Sequence, residues 1–351
     1  MGDSKNNSSS IAKFIAGSAL AAGGFFAAKK LVSSFNKFRL SGKVVLITGG
    51  SRGLGLVLAR HFADEGAKVA ICARSVDELQ RASEDLAGRT THFLAVPCDV
   101  TDQQQVQNMI EQISKEMGNI DVLINNASII QMGPMESMTY EDYEAAMKTH
   151  FWGPFYTMNE VLPDMIGMGG GRIVNIVSIG GKLSFPHLLP YTTSKYALSG
   201  LSEGMAAELK KYNINITTVY PGFMRTGSPM NIDVKGQYQK EYAWFKISDS
   251  LPVLSMDVDK AAQKIIEAMK KGKKTITLTI PAKIAIAAHG ISPGFIISFF
   301  DLINNLLPEM KGGHKAKKGY ESASKYSSTF LSKKTDEAEN YTLQKNNSDS
   351  I

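Results

Sequence analysis

The chain has 351 residues, of which 43% are apolar, and its 39 lysines and arginines outnumber 33 acidic residues, for a net charge of +6. This length and average composition suit a large α/β core and exclude collagen-like, wholly disordered and disulfide-stapled proteins. The two cysteines, Cys72 and Cys98, belong to apolar runs, so we expect reduced core thiols, no zinc site and a reducing compartment. The lysines and arginines of the central region do not form a stripe interleaved with aromatic residues, which excludes a typical nucleic-acid-binding protein. The positive charge therefore indicates either solubility or attraction to an anionic membrane surface.

Residues 1–40 combine a polar start with an apolar segment. The run over residues 14–28 has no charge and is followed by Lys29 and Lys30. As a helix this run reaches roughly 22 Å, short of the ~30 Å hydrocarbon core of a bilayer. The longer segment 11–32 just spans one if its terminal lysines reach the interface. Three interpretations remain open: a membrane anchor that keeps the main body cytoplasmic, a soluble or peripheral helix, and a cleaved signal peptide.

From residue 41 onward, short β-branched runs alternate with amphipathic stretches. This alternation predicts β-α-β units around a parallel sheet, in one Rossmann-type, doubly wound α/β domain over residues 41–280. Helical patterns fill the gaps between the predicted strands. We expect about seven parallel strands, at residues 43–48, 67–72, 92–97, 121–125, 172–178, 215–220 and 275–280.

A glycine-rich turn follows the first predicted strand directly. Glycines at positions 49, 53 and 55 permit a tight turn and a close backbone approach to a pyrophosphate, whose charge the following helix N-terminus favours. The turn therefore predicts a dinucleotide site. Its sequence is Thr48-Gly49-Gly50-Ser51-Arg52-Gly53-Leu54-Gly55.

The end of the second predicted strand bears on which dinucleotide binds. An acidic side chain that would bind a ribose 2′-hydroxyl is absent there, and the strand ends at Arg74 instead. Arg74 and Arg52 can together hold a 2′-phosphate through charge-assisted hydrogen bonds, which favours NADP(H) over NAD(H). The alternative is that Arg74 is a solvated residue at the start of a helix.

A second motif places a tyrosine and a lysine four residues apart on one predicted helix face. An ammonium group at Lys195 favours the phenolate of Tyr191 and lowers its pKa from about 10, as acid/base work on a carbonyl/alcohol couple requires. Ser178 ends a predicted strand thirteen residues before Tyr191, where its hydroxyl can meet the same substrate oxygen. The four-residue spacing of tyrosine and lysine also occurs by chance at two other places in the chain, Tyr242/Lys246 and Tyr341/Lys345.

Taken together, these motifs resemble the short-chain dehydrogenase/reductases over roughly residues 41–280. The resemblance implies hydride transfer between a nicotinamide cofactor and a carbonyl or alcohol substrate. Three further motifs in the same order support it. They are Cys98-Asp99-Val100, Asn125-Asn126-Ala127-Ser128 and Pro221-Gly222-Phe223-Met224-Arg225-Thr226.

The resemblance also implies a role for each matching position. Tyr191 is the expected acid/base, Ser178 the ligand of the substrate oxygen, and Lys195 both a ribose ligand and the electrostatic partner of the phenol. Asp99 and Val100 are expected at the adenine. The other implied cofactor positions are Thr48, Gly49, Ser51, Arg52, Gly53, Leu54, Gly55, Asn125, Asn126, Ala127, Pro221, Gly222 and Thr226.

Two positions depart from the family pattern. Ser128 replaces a glycine, which is a mild change because serine is small. His150 stands where the family usually has an asparagine that completes a catalytic tetrad by holding a relay water. Either His150 keeps that relay with a different pH dependence, or it only satisfies a kink in its helix.

The C-terminal part of the chain holds three further segments. Residues 227–252 are rich in Met, Tyr, Trp and Phe, which suits either a lid over a fatty, retinoid-like or steroid-like carbonyl compound or ordinary packing. Residues 281–310 form an apolar extension with a predicted helix starting at Ser292-Pro293, facing a membrane interface, the substrate cleft or a second subunit. Residues 311–351 predict a disordered polar tail.

These observations predict an NADP(H)-dependent reductase of a lipid-like carbonyl compound, associated with a membrane surface. We expect it in the cytoplasm or on the cytoplasmic face of a membrane. The family resemblance implies a homo-oligomer built through the helices after the fourth and fifth strands, unless the apolar C-terminal region changes that association. The alternative is a non-catalytic dinucleotide sensor or scaffold on the same fold, which the histidine at position 150 keeps open.

Overall fold

Strands and helices alternate along the chain from Leu40, where its larger unit begins. The computed structural model describes residues 38–251, 255–324, 327 and 333–344. The strands are β1 (Val44–Thr48), β2 (Lys68–Ala73), β3 (Phe93–Pro97), β4 (Val122–Asn125), β5 (Gln131–Met132), β6 (Gly171–Ile176), β7 (Ile214–Tyr220), β8 (Phe223–Arg225), β9 (Asp233–Val234), β10 (Ser255–Asp257), β11 (Thr275–Thr277) and β12 (Lys317–Lys318).

Helices connect most of these strands. They are α1 (Gly53–Asp64), α2 (Val76–Leu86), α3 (Gln103–Met117), α4 (Tyr140–Met147), α5 (Gly153–Gly167), α6 (Leu189–Glu208), α7 (Tyr238–Ser250), α8 (Val258–Lys270), α9 (Ile280–Ile291), α10 (Pro293–Asn304) and α11 (Lys333–Tyr341). A π-helical turn, Lys148–Trp152, joins α4 to α5.

Seven strands form one parallel sheet in the order β11-β7-β6-β4-β1-β2-β3. The order reverses between β1 and β4, and in doubly wound sheets ligands bind in the crevice at the carboxyl ends of the strands around such a point. The predicted α/β fold with about seven parallel strands is thus confirmed. The small sheets β8-β10 and β5-β9-β12 lie outside it.

The central strands of the sheet are largely buried because most of their residues are apolar. All five residues of β1 are buried, as expected for a parallel strand covered on both faces. Buried residues of α3 and α5 pack in one cluster with β1, β4, β6 and β7, while α1 packs against α8. This packing holds the strand ends, and the side chains on them, in a rigid arrangement.

The edge strand is shorter than predicted. It ends at Thr277, whereas the sequence pattern predicts a strand to residue 280. The hydroxyl oxygen of Thr279 accepts a hydrogen bond from the Ala282 amide and caps α9, so the chain turns into a helix at this point.

The apolar extension forms two consecutive helices, α9 and α10. The helix predicted from Ser292-Pro293 begins at Pro293, as expected. Ile286 of α9 packs on a buried cluster of Val177, Leu198 and Tyr220. The predicted N-terminal helix over residues 11–32 lies outside the described residues, and within the described ranges no helix is long and apolar enough to cross a membrane.

The prediction of a disordered tail is wrong for its described residues, 311–324, 327 and 333–344. β12 pairs with β9, and α11 is held by an ion pair of 2.6 Å between Lys246 and Asp336. The hydroxyl of Thr335, which is buried, donates to the carboxylate of Asp249 at 3.2 Å. The segment has too few apolar residues to predict order, but buried polar groups on α7 supply its partners.

Candidate active site

A cavity of about 830 Å³ runs along the carboxyl ends of the parallel strands. Successive strands therefore each contribute residues to its wall, which is why motifs far apart in the sequence meet here. Lining residues that follow β1, β2, β3, β4, β6 and β7 are, in that order, Gly49, Arg74, Asp99, Asn126, Ser178 and Pro221.

The glycine turn after β1 is tightly constrained. Gly49 has a φ of +63°, and a Cβ on Gly55 would lie 2.1 Å from the Gly49 carbonyl oxygen. The Asn126 side chain donates hydrogen bonds to the carbonyls of Thr48 and Gly49 at 3.1 and 3.0 Å. The Thr48 hydroxyl oxygen accepts from the amides of Asn126 and Ala127. The turn is thus fixed beside the N-terminus of α1, whose first amides have no acceptor within the helix, and this arrangement fits a pyrophosphate.

Arg52, Arg74 and Glu78 line the cavity at the end of β2, and the charge of Arg81 also acts on Arg52. Arg52 Nε lies 3.5 Å from the Glu78 carboxylate, which also accepts a 2.9 Å hydrogen bond from the Ser51 hydroxyl. Burial lowers the pKa of Arg52, and the like charges of Arg74 and Arg81 lower it further. The local excess of positive charge fits a 2′-phosphate. Glu78 and Arg81 were not among the predicted residues, because only the fold brings α2 beside the glycine turn.

The adenine end and the central strands also carry predicted residues. The Asp99 carboxylate accepts hydrogen bonds from the amide and hydroxyl of Thr101, both at 2.9 Å, and Val100 is buried beside it. Asn125 is buried and donates to the side-chain oxygen of Asn175 at 2.9 Å. Asn125 therefore joins β4 to β6 beneath the site and does not line the cavity.

Ser178, Tyr191 and Lys195 meet at the end of β6. Tyr191 and Lys195 are four residues apart on α6, and the lysine Nζ lies 5.7 Å from the centre of the tyrosine ring. The Nζ also donates to the Ile176 carbonyl at 3.0 Å. Ser178 accepts from the Gly180 amide at 3.0 Å and hydrogen-bonds with the Tyr191 hydroxyl. A phenol, a hydroxyl and an amine thus share one wall of the cavity, as predicted from their spacing.

The expectation that Lys195 lowers the pKa of Tyr191 is not met in this structure. Burial raises the pKa of Tyr191, and the hydrogen bond with Ser178 only partly opposes that effect. Burial also lowers the pKa of Lys195 to about 7, so near neutral pH its amine is only partly charged. The phenol is consequently protonated, which is the form that donates a proton.

The shifted pKa of Lys195 predicts a pH-dependent stability. The unfolded chain keeps this lysine protonated up to a pKa of about 10.4, whereas the folded chain releases the proton near pH 7. Between these values the unfolded state binds more protons, so the contribution of Lys195 to the free energy of unfolding rises with pH, by at most about 1.4 kcal/mol per pH unit. Urea unfolding at pH 7, 8 and 9 should show this rise in the parent relative to Lys195→Met, and parallel curves would contradict the shift.

The competing pair Tyr242/Lys246 has the same separation between amine and ring, 5.7 Å. Its lysine, however, forms ion pairs with Asp336 and Glu339 of α11, and its tyrosine belongs to a buried apolar cluster. The third pair, Tyr341/Lys345, includes a residue outside the described ones. Geometry relative to the strand ends, and not the Tyr-Lys spacing, identifies Tyr191.

His150 lies on the π-helical turn and is fully buried. Its Nε2 accepts a hydrogen bond from the Ile129 amide at 3.1 Å and contacts the Ser128 hydroxyl at 2.9 Å, while its Nδ1 lies 2.7 Å from the Ser194 hydroxyl. Burial and the nearby Lys195 hold the pKa of His150 well below its ordinary value. Both ring nitrogens of a neutral His150 are engaged by protein groups, which favours the structural interpretation over a water relay.

Removing this imidazole should therefore cost stability. His150→Ala leaves the Ile129 amide without its acceptor and opens a cavity, so we expect a loss of about 2–4 kcal/mol in the free energy of unfolding. His92→Ala, at an exposed site, is the matched control, with an expected change within about 0.5 kcal/mol. Urea unfolding measures both, and equal stabilities would contradict the structural role.

The predicted lid contributes both to packing and to the cavity. Tyr242 and Phe245 of α7 belong to a buried cluster with Ile232, while Trp244 and Phe245 line the cavity. From the other side, α10 contributes Phe300 and Ile303, and the turn after it contributes Leu307. The Phe300 ring lies 5.0 Å from that of Phe185. The end of the cavity formed by α7 and α10, away from Arg52 and Arg74, therefore has largely apolar walls.

The C-terminal segment reaches the cofactor end of the cavity. The Thr342 carbonyl accepts a 2.9 Å hydrogen bond from the Gly53 amide, and the Thr342 hydroxyl donates to the Thr226 carbonyl at 2.7 Å. Gln344 lines the cavity and accepts from the Asn231 side chain at 2.7 Å. No local pattern in this polar segment predicts these contacts, since their partners lie more than 100 residues away.

Comparison with known proteins agrees with this geometry. Residues 43–237 match the family model described as short chain dehydrogenase. The gluconate 5-dehydrogenase of Gluconobacter oxydans is 36% identical over 189 residues, which cover 54% of this chain and 74% of that protein. The fatty acyl-CoA reductase of Acinetobacter baylyi is 33% identical over 285 residues, which cover 80% of this chain and 90% of that protein.

A solved structure shows the same fold. The gluconate 5-dehydrogenase of Burkholderia cenocepacia, in complex with NADP and tartrate, superposes with a TM-score of 0.63 at 27% identity, covering 72% of this chain and 99% of that one. The two kinds of comparison therefore agree on the fold and on the sequence family. The chain belongs to the short-chain dehydrogenase/reductase family of oxidoreductases.

Proposed function

We propose that this protein is an NADP(H)-dependent reductase of a long-chain, lipophilic carbonyl compound. The observation that carries the proposal is the meeting of Ser178, Tyr191 and Lys195 at a strand end inside a cavity with one cationic and one apolar end. When bound, the dinucleotide supplies the hydride through its nicotinamide ring.

The protein's own groups perform the proton chemistry. The hydroxyl of Ser178 orients a substrate oxygen toward Tyr191, with which it already shares a hydrogen bond. The Tyr191 hydroxyl, protonated because burial raises its pKa, donates its proton to that oxygen as negative charge develops there. Lys195, with a pKa of about 7, can exchange protons near neutral pH and stabilises the phenolate left behind.

Charge at the opposite end of the cavity supports the choice of dinucleotide. Arg52, Arg74 and Arg81 give a net positive charge beside Glu78, and guanidinium groups bind phosphate oxygens in pairs. The solved relative in complex with NADP is consistent with this preference.

The apolar walls formed by α7 and α10 support the choice of substrate class. The match with fatty acyl-CoA reductase extends well beyond the residues of the family model, to 80% of the chain. The matches with gluconate 5-dehydrogenase cover less of it. A fatty aldehyde or acyl thioester therefore fits the cavity better than a sugar acid does.

The first experiment is a fluorescence titration of the full-length protein with NADPH and NADH. Nucleotide oxidation is then followed with decanal, a long-chain acyl-CoA, a steroid ketone and 5-ketogluconate. We expect tighter binding of NADPH and turnover with the long-chain compounds. Turnover with 5-ketogluconate alone would overturn the substrate class, and tight NADPH binding without turnover would favour the non-catalytic sensor.

Subunit association and localisation are part of the same proposal. We expect a homo-oligomer whose interface is formed by α5, which precedes β6 in the chain, and α6, which follows it. The supporting observation is Trp152, directly before α5, which is 42% exposed beside the rings of Phe155 and Tyr156. We place the protein in the cytoplasm or at the cytoplasmic face of a membrane, in keeping with its two free cysteines and its basic charge.

A further inference from the structure

The helices α9 and α10 carry a large exposed apolar surface that the catalytic site does not explain. On α9, Ile280, Ile284 and Ile291 lie on one stripe of the helix. On α10 and the turn after it, Phe295, Phe299, Leu302 and Leu306 follow one another at intervals of four, three and four residues, which is again one stripe. These seven side chains are between 49% and 86% exposed. We call these seven residues the outer face.

α10 is apolar on a second side as well. On α10 and the turn after it, Ile296, Phe300, Ile303 and Leu307 repeat the same spacing one residue further on. This inner stripe therefore lies about 100° around the helix from the outer face. Three of its residues line the cavity. The outer face is therefore continuous, around a single helix, with the apolar wall of the substrate site.

The charges around the outer face are predominantly basic. Residues 280–307 contain one lysine, Lys283, and one acid, Asp301, while residues 308–318 add four lysines and only Glu309. The four lysines, Lys311, Lys315, Lys317 and Lys318, are exposed. Two of them form ion pairs, Lys311 with Glu309 at 3.3 Å and Lys318 with Asp233 at 2.7 Å. The lysine segment begins seven residues after the end of α10 and is held near the cavity by the pairing of β12 with β9.

We propose that the outer face of α9 and α10 docks on an anionic lipid bilayer, with the lysine segment 311–318 contacting the headgroups. Each helix has twelve residues, about 18 Å, which is too short to cross a hydrocarbon core of ~30 Å. Paired amphipathic helices of this kind lie in the membrane interface, with the apolar side about 5–10 Å deep. Anionic lipids complement the lysines, each contributing to binding near the surface.

Two features of the surface favour a bilayer over a second copy of the chain. A two-fold dimer through the outer face would bring two copies of the lysine segment to one interface, where their like charges repel. The continuity of the outer face with the cavity wall also gives a lipid-dissolved substrate a short apolar path to α10. The docking inference does not depend on turnover and goes beyond the proposed reaction.

Site-specific fluorescence tests the proposal in the full-length protein. Both native cysteines are buried, so an environment-sensitive thiol probe labels an introduced surface cysteine, with the unsubstituted protein as the labelling control. Phe295→Cys and Leu302→Cys place the probe on the outer face. Tyr140→Cys, at a position 92% exposed on α4, is the matched control. All three sites are exposed, so the substitutions leave the core intact.

We expect the emission of the probes at positions 295 and 302 to shift to shorter wavelength when phosphatidylcholine vesicles containing phosphatidylglycerol are added. We also expect lipids that carry a quencher at a shallow position of the acyl chain to quench this emission. The probe at position 140 should not respond. Lys315→Gln with Lys317→Gln should weaken the response by roughly fivefold for each lysine removed. Because the readout is the environment of a helix, a membrane anchor at residues 11–32 would not by itself produce it.

Three results would overturn the proposal. Probes at 295 and 302 that ignore vesicles of both compositions would exclude docking. A shift that depends on protein concentration without lipid would assign the outer face to a second copy. Emission already shifted at all concentrations, and unchanged by vesicles, would show that another segment of the same chain covers it. None of these outcomes bears on whether the protein reduces carbonyl compounds, so the two proposals fail separately.

Discussion

Tyr191→Phe should lower kcat by about 10³- to 10⁴-fold, because a positioned general acid contributes up to about 10⁴-fold and the variant lacks the hydroxyl that hydrogen-bonds with Ser178. The dissociation constant for NADPH should change by less than about threefold, since only the phenolic oxygen is removed and the Lys195 amine keeps its bond to the Ile176 carbonyl. Stopped-flow reduction and a nucleotide titration measure the two quantities separately.

The chain provides a matched control for this variant. Tyr242→Phe removes a phenolic oxygen from the other described Tyr-Lys pair, whose amine-to-ring separation is the same. Because Lys246 is paired with α11, Tyr242→Phe should retain kcat within about threefold. Equal rates for parent and Tyr191→Phe, or equal losses in both variants, would refute the assignment of the acid/base.

Arg74→Ser should reduce the affinity for NADPH by about 10- to 100-fold, because a hydrogen bond between charged groups contributes roughly 1.5–3 kcal/mol. The affinity for NADH should stay within about threefold, since NADH has no 2′-phosphate. Arg74 is exposed beside Arg52 and Arg81, so the substitution also relieves a repulsion that the free protein carries.

Arg89→Ser is the control for a general effect of charge. Arg89 is also exposed, but it pairs with Asp64 away from the cavity. We expect it to leave both affinities unchanged at low and at moderate salt. If Arg74→Ser weakened the binding of NADPH and of NADH equally, Arg74 would stabilise the fold or contact the part that the two dinucleotides share. The assignment of Arg74 to the 2′-phosphate would then be wrong.

Local patterns in the sequence were sufficient for the parts of this protein that depend on neighbouring residues. The β-branched runs predict buried parallel strands. The glycines at positions 49 and 55 predict a tight turn, in which there is no room for a Cβ atom. Ser178 and Tyr191 were predictable because both positions are set by one strand end and one helix. The third partner, Lys195, follows from the four-residue spacing along that helix.

Other features depend on contacts between distant segments. The sequence left two roles open for His150. Its partners Ser128 and Ser194 became evident only in the fold, where the π-helical turn packs against α6 and against the segment after β4. The protonation of Lys195 and Tyr191 likewise reversed a local expectation. A lysine near a phenol lowers its pKa in water, but the burial that the fold imposes on both groups outweighs that effect.

The sequence by itself determined the sheet and the glycine turn, because each follows from periodicity or spacing over a few residues. It also proposed Ser178, Tyr191 and Lys195 as the reacting side chains, but only the position of Tyr191 at a strand end distinguishes it from the other Tyr-Lys pairs. Only the tertiary structure decided that Glu78 and Arg81 join the cofactor end and that a polar C-terminal segment is ordered against Thr226. It also decided that α10 is apolar toward both the cavity and the outside. These features depend on which surfaces meet across the fold, and burial, not local pattern, sets the energy of each contact.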